Sequence, residues 1–197
     1  SISVTYIERS WDGSKVVAAE KTEDAQPVPS DGNMTSGTYY LNSNVTKSGR
    51  VESITGDVKL ILGNGYTLDV RGLYIPNGST LAIYAQSEGD NAGRIYSHPS
   101  GGAAIGGYSG HDNGNIVIHG GEIIATGDNN CAGIGSNSGR KTGDITIYKA
   151  WVTATGGSNG AGMKCSGKRG ENLVIQVPRG TVVRDAETIL FRSGDDA

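Results

Sequence analysis

Four residues whose types could hold a ligand fall at a single spacing. His119 and Tyr148 are 29 residues apart in the sequence, and so are Glu122 and Trp151. An indole and a phenol offer flat apolar faces with a polar edge, while a carboxylate and an imidazole beside them supply hydrogen bonds. That combination suits a sugar ring, whose polarised C–H face stacks on aromatics while its hydroxyls meet polar groups. Trp151, Tyr148, Glu122 and His119 are therefore the candidate ligand-binding residues, provided that one wall of the fold displays them together.

Other chemistry finds less support. At the same 29-residue offset Asp112 falls under Lys141, Asp128 under Gly157, and Asp144 over Asn115. No column then holds the two carboxylates that acid–base catalysis or a dedicated Ca²⁺ site needs, and no catalytic residue is assigned. A convergent set would have to come from Asp57, Asp69, Glu88, Asp90, Arg94 and His98. The histidines His98, His111 and His119 lack Cys or acidic partners at metal-ligand spacing, so no metal ligand and no cofactor is expected. The loops SEGDNAG and SGHDNG offer at most a weak Ca²⁺ site, because they lack regular D-x-D-x-D-G spacing. Their Asp and Asn suit turns. Cys131 and Cys165 lie five residues beyond one repeat, so a bridge requires AGMKC to fold back.

What must position these residues is a repeat. Residues 101–130 are followed by an altered copy, with about twelve of 29 aligned positions identical. Ile116 and Ile118 fall on Ile145 and Ile147, Ile123 and Ala125 on Val152 and Ala154, and Gly106 on Gly135. Within each copy apolar residues alternate, the pattern of a strand with one buried face. Three short strands per copy, near Ile105, Ile118 and Ile123, are separated by glycines. Glycine, 32 of 197 residues, is roughly twice its usual share and serves as punctuation between strands. Upstream, GDVKLILGNG and GSTLAIYAQS alternate likewise. The expected fold is all-β: a right-handed parallel β-helix of about six or seven rungs over residues 37–197, with 29-residue repeats from about 102 to 165.

Residues 1–36 are expected to form a strand and a polar loop that cap the N-terminal end of the solenoid, anchored by Trp11. Val16-Val17 and the lack of a 3.6-residue stripe argue against a helix over 15–25. Tyr39, Tyr40, Tyr74, Tyr84 and Tyr96 are expected mostly to cover the solenoid or this segment. A net charge of −3 with scattered basic residues argues against nucleic acid. No apolar run has the length of a membrane span, and SISVTYIERS does not read as a signal peptide. The chain is expected to be a mature or excised soluble piece.

The stretches YYLNSNVT, GDVKLILGNGYTLDV, STLAIYAQS, AAIGG, GNIVIHGGEIIATG and AGIG…GDITI…VTATGG resemble the glycine-rich repeat region of bacterial surface proteins. Those proteins come from anaerobic, gut-type bacteria and are often labelled carbohydrate-binding domain proteins. The resemblance implies a pectate-lyase-like β-helix, an extracellular or cell-surface location, and further domains of a larger surface protein. The sequence departs from that pattern at Lys149-Ala150, where Gly-Gly is usual, and at GAGMKCSG. The expected function is a non-catalytic glycan-binding or adhesive module with a polysaccharide or host glycan as partner. The alternatives are a structural spacer or protein-adhesion segment, and a β-helix polysaccharide lyase or hydrolase.

Overall fold

The computed structural model describes residues 1–157 except 52, 109 and 138, and the backbone of 182–185 and 188–192. The described residues are built from strands. Short alternating apolar runs bounded by glycine leave no stretch for a helix to gain cooperativity. The N-terminal strands are β1 (Ile2–Trp11), β2 (Val16–Pro27), β3 (Met34–Leu41), β4 (Val45–Thr46), β5 (Ile54–Leu62) and β6 (Thr67–Val70). Next come β7 (Leu73–Tyr74), β8 (Thr80–Ala85), β9 (Arg94–Ser97), β10 (Ile105–Gly106) and β11 (Asn115–Ile118). The last are β12 (Glu122–Asn129), β13 (Ile134–Gly135), β14 (Ile145–Ile147), β15 (Trp151–Gly157), β16 (Val182–Asp185) and β17 (Thr188–Arg192).

From β3 onward the chain stacks three parallel ladders. One runs β3-β5-β8-β11-β14, a second β4-β6-β9-β12-β15, and a third β7-β10-β13. The repeat fixes their register: Ile116 pairs with Ile145, Ile123 with Val152, and Ile105 with Ile134. Like residues stack because a one-residue slip would turn every inward side chain outward. The inward faces meet in one core that includes Leu60, Leu68, Leu73, Leu81, Ile83, Ile95, Ile105, Ile116 and Ile123. Each fully buried Leu or Ile there is worth roughly 1.5–3 kcal/mol relative to exposure.

The largest sheet is mixed rather than parallel. β1 and β2 form an antiparallel hairpin, from Ile2↔Ala25 to Trp11↔Val16. β2 then joins β3 in parallel, and β1 returns to meet β8 antiparallel at Ile7↔Ala85. The order β1-β2-β3-β5-β8 and back to β1 is a closed five-stranded barrel. It wraps the face of β3, β5 and β8 that points away from the first core. Its interior holds Val4, Tyr6, Ala25, Ile61 and Tyr84, with Tyr40 and Ala82 packed against them. Tyr6 and Tyr84 meet edge-on, with ring centroids 4.8 Å apart. Lys59 donates to Glu23 at 3.1 Å at the barrel wall.

These findings correct the expected right-handed parallel β-helix of six or seven rungs. The fold is all-β, but its sheets are mixed, and its N-terminal part is a closed barrel. Among the described residues the parallel ladders have five levels at most, and β16 and β17 pair antiparallel with each other. The N-terminal segment joins the β3 end of the ladders through Gln26↔Tyr39 and Pro27↔Tyr40. From there it lies along their side, because Ile61, Tyr84 and Tyr40 form an apolar surface that the hairpin buries. Trp11 is no anchor: it sits 51 % exposed at the end of β1, and Tyr6 and Val4 hold the hairpin instead. No described helix is long and apolar enough to cross a membrane.

Candidate functional site

The structure separates the four sequence-derived site residues into two pairs. His119 and Tyr148 lie where β11 and β14 end, and Glu122 and Trp151 are register partners on β12 and β15.

His119 points away from the first core, but β1 covers it. Its ring stacks on Tyr84 at 4.2 Å and 7°, and on Tyr148 at 5.1 Å and 27°. Its Nδ1 lies 2.7 Å from the Arg9 carbonyl oxygen and 3.2 Å from the Arg9 backbone nitrogen. The imidazole is 8 % exposed and spent on holding the hairpin, so it faces no ligand. Burial lowers its pKa below the usual 6.5, against the opposing pull of the Arg9 carbonyl. The neutral ring is thus the form that fits the fold. Stability linked to His119 is complete above about pH 6.5 and declines as pH falls towards the lower folded-state value. We expect the melting temperature to drop across that window, and His119→Gln to flatten the drop.

Glu122 and Trp151 line an open basin with a volume of about 560 Å³. Its walls come from the ends of β9, β12 and β15, the 87–92 loop, and Arg9 of β1. Arg94 pairs with Glu122 on adjacent strands, with Nη2–Oε2 at 2.5 Å and Nε–Oε2 at 2.6 Å. Trp151 is the next residue in that column and is 74 % exposed. In the 87–92 loop Glu88 bridges two cations. One carboxylate oxygen meets the Arg9 guanidinium, and the other lies 2.8 Å from Lys149 Nζ. The Arg9 guanidinium also donates to the His119 carbonyl oxygen, so the basin and the aromatic stack share one residue. The Lys149 ammonium and the Arg9 guanidinium hold the Glu88 carboxyl below its ordinary pKa. Asp90 lines the basin as well.

Among the described residues, no group of three or more His, Cys, Asp or Glu is placed to hold a metal ion. In the SEGDNAG loop Glu88 is taken by its two cations, and in SGHDNG Asp112 accepts from the Lys141 backbone N–H at 2.9 Å. His98 Nε2 lies 3.3 Å from Asp69 Oδ1 on the second ladder, beside Tyr96 and Arg71. Asp57 stands apart from them on β5. The question of a bridge between Cys131 and Cys165 falls partly outside the described residues. Sequence reading missed Arg9 and Lys149 as site residues. The signal for Lys149 was its place at a corner where the preceding copy has Gly120. Arg9 gave none, being 110 residues from the histidine it contacts.

A family model described as GTP1/OBG matches residues 92–192, just over half of the chain. The chain belongs to the GTP1/OBG family. No curated protein and no solved structure matches it. The GTP1/OBG match overturns the resemblance to glycine-rich surface repeats. With that resemblance go the carbohydrate-binding and adhesin readings, the spacer and polysaccharide-lyase alternatives, and the polysaccharide or host-glycan partner. The physical reason is plain. Glycine at tight corners and alternating short strands are demands of stacking itself, so they do not distinguish one family of stacked-strand chains from another.

Membership also draws attention to a run inside the matched span. Gly162, Gly167 and Lys168 in GMKCSGKR satisfy G-x-x-x-x-G-K, the sequence of a phosphate-cradling loop, up to Arg169, where Ser or Thr completes it. This run lies outside the described residues.

Proposed function

We propose that this GTP1/OBG chain is a guanine-nucleotide-binding domain, non-catalytic by itself, with the basin at Trp151 as its nucleotide site. The observation that carries the reading is the coincidence of the family match with the basin. Ala92, Arg94, Gly120, Gly121, Glu122, Lys149, Ala150 and Trp151 all fall within residues 92–192. The chemistry of the lining supports it. Trp151 offers an open aromatic face, and stacking a base on such a face is worth roughly 1–3 kcal/mol. Arg94, Lys149 and Arg9 supply positive charge for phosphates, with guanidinium forks suited to paired oxygens. Asp90 can accept from the N1–H and N2–H₂ donors of guanine. Adenine offers an acceptor at N1, so the same carboxylate disfavours it. A volume of about 560 Å³ lies within the usual range for small-molecule sites.

Calorimetric titration with GDP, GTP and ADP tests this. The expected result is saturable binding of guanine nucleotides and weaker binding of ADP. Trp151→Ala should weaken GDP by roughly 5- to 150-fold, the range that loss of one stacked base allows. Asp90→Asn should narrow the gap between GDP and ADP. If GDP binding survives both substitutions but is lost in Lys168→Ala, the nucleotide sits at residues 162–169 and the basin assignment is wrong.

A further inference from the structure

The basin has an anion in it already, and that anion belongs to the protein. The Arg9 side chain is 3 % exposed, a buried cation whose charged partner is Glu88, a residue 52 % exposed in a loop. The same carboxylate reaches across to Lys149, 57 % exposed, on the loop before β15. One exposed acid thus joins two cations brought from opposite ends of the sequence. The acid is attached to a short segment with Gly89 at φ +79° beside it. Arg9 is fixed through the His119 carbonyl and the antiparallel pairing of β1. Lys149 stands where the preceding repeat has Gly120, so the cation enters at a corner that stacking alone fills with glycine.

We infer that Arg9 and Lys149 form an anion subsite for the terminal phosphate groups of a ligand, and that Glu88 is its built-in competitor. A carboxylate and a phosphate oxygen make the same charge-assisted contacts with a guanidinium and an ammonium. An incoming phosphate therefore displaces Glu88 rather than adding to it, since two anions in one subsite repel. Displacement frees the Glu88 side chain while Ser87 stays bonded to Asn64 and Asn91 to Gly65, which makes occupancy of the basin visible as a local change at Glu88. The identity of the group beyond the phosphates rests on the guanine-nucleotide reading above. The subsite and its competitor do not.

Inorganic pyrophosphate is the probe that separates the two ideas, because it has no base. Its affinity is measured by calorimetry at low ionic strength for the full chain, for Glu88→Gln, and for Glu88→Gln combined with Lys149→Gln. Glu88→Gln should bind pyrophosphate roughly tenfold more tightly or better, because a resident negative charge is gone. The double variant should lose that gain. Melting curves guard against a folding defect: pyrophosphate should raise the melting temperature of Glu88→Gln more than that of the parent. Equal affinity of parent and Glu88→Gln, or weaker binding by the variant, overturns the inference. If the parent prefers GDP to ADP while Glu88→Gln gains nothing, the competitor idea fails and the nucleotide reading survives. If Glu88→Gln gains pyrophosphate affinity and no chain prefers GDP, the subsite stands and the nucleotide reading fails.

Discussion

Gly106→Ala is expected to cost about 3 kcal/mol or more of stability, the size that marks a clash in a place that cannot relax. Gly106 has φ +128° and pairs in register with Gly135 on the next level. A Cβ added there would lie 2.0 Å from the Gly135 carbonyl oxygen. That oxygen is already engaged, accepting the Gly107 N–H at 2.7 Å. Relief would require β10 and β13 to separate, which breaks the ladder. An unfavourable backbone conformation adds roughly 1–2 kcal/mol to the contact itself. The control is Gly78→Ala. Gly78 has φ +83°, but nothing lies within 4 Å of its added Cβ. It should cost only about 1 kcal/mol, the backbone part alone. Urea unfolding of both variants reads the difference. Equal losses would show that the ladder corner is looser than the structure describes.

Tyr84→Ala is expected to cost about 3–5 kcal/mol, the range for truncating a large buried aromatic. Tyr84 is 5 % exposed and lies between Tyr6 of the hairpin and His119, just past the end of β11. Removing the ring empties the barrel where β1 closes on β8, whose backbones pair at the single position Ile7↔Ala85. The first core, on the opposite face of β8, keeps Leu81 and Ile83 untouched. Hydrogen exchange should therefore show the β1–β2 amides losing protection before those of β11 and β12. A loss below about 1 kcal/mol, or uniform loss of protection, would mean that the hairpin is held by something other than this aromatic contact.

How much of this was legible follows from which residues repeat. The pairing of Ile116 with Ile145 and of Glu122 with Trp151 is written in the sequence, because stacked levels place like residues over like. The barrel is not written as a repeat. Its strands come from residues 2–27 and from the outward positions of β3, β5 and β8, which look solvent-facing when only one core is assumed. A hint was present in Leu60-Ile61-Leu62, an apolar run that breaks alternation because both faces of β5 are covered. Tyr40 and Tyr84 carried the same hint. His119 points away from the first core, but there it lies under β1 rather than in water. Of the candidate site, Glu122 and Trp151 were legible from register. Arg9 was not, since a contact across 110 residues leaves no local trace.

The central claim is that a guanine nucleotide sits against Trp151. The sequence contains two tryptophans, so Trp11→Phe leaves Trp151 as the sole reporter. Its emission during titration with GDP, and separately with ADP, is the most direct measurement. The account predicts a saturable change with GDP at concentrations where ADP gives little. No change with GDP, or the same change with ADP, would contradict it.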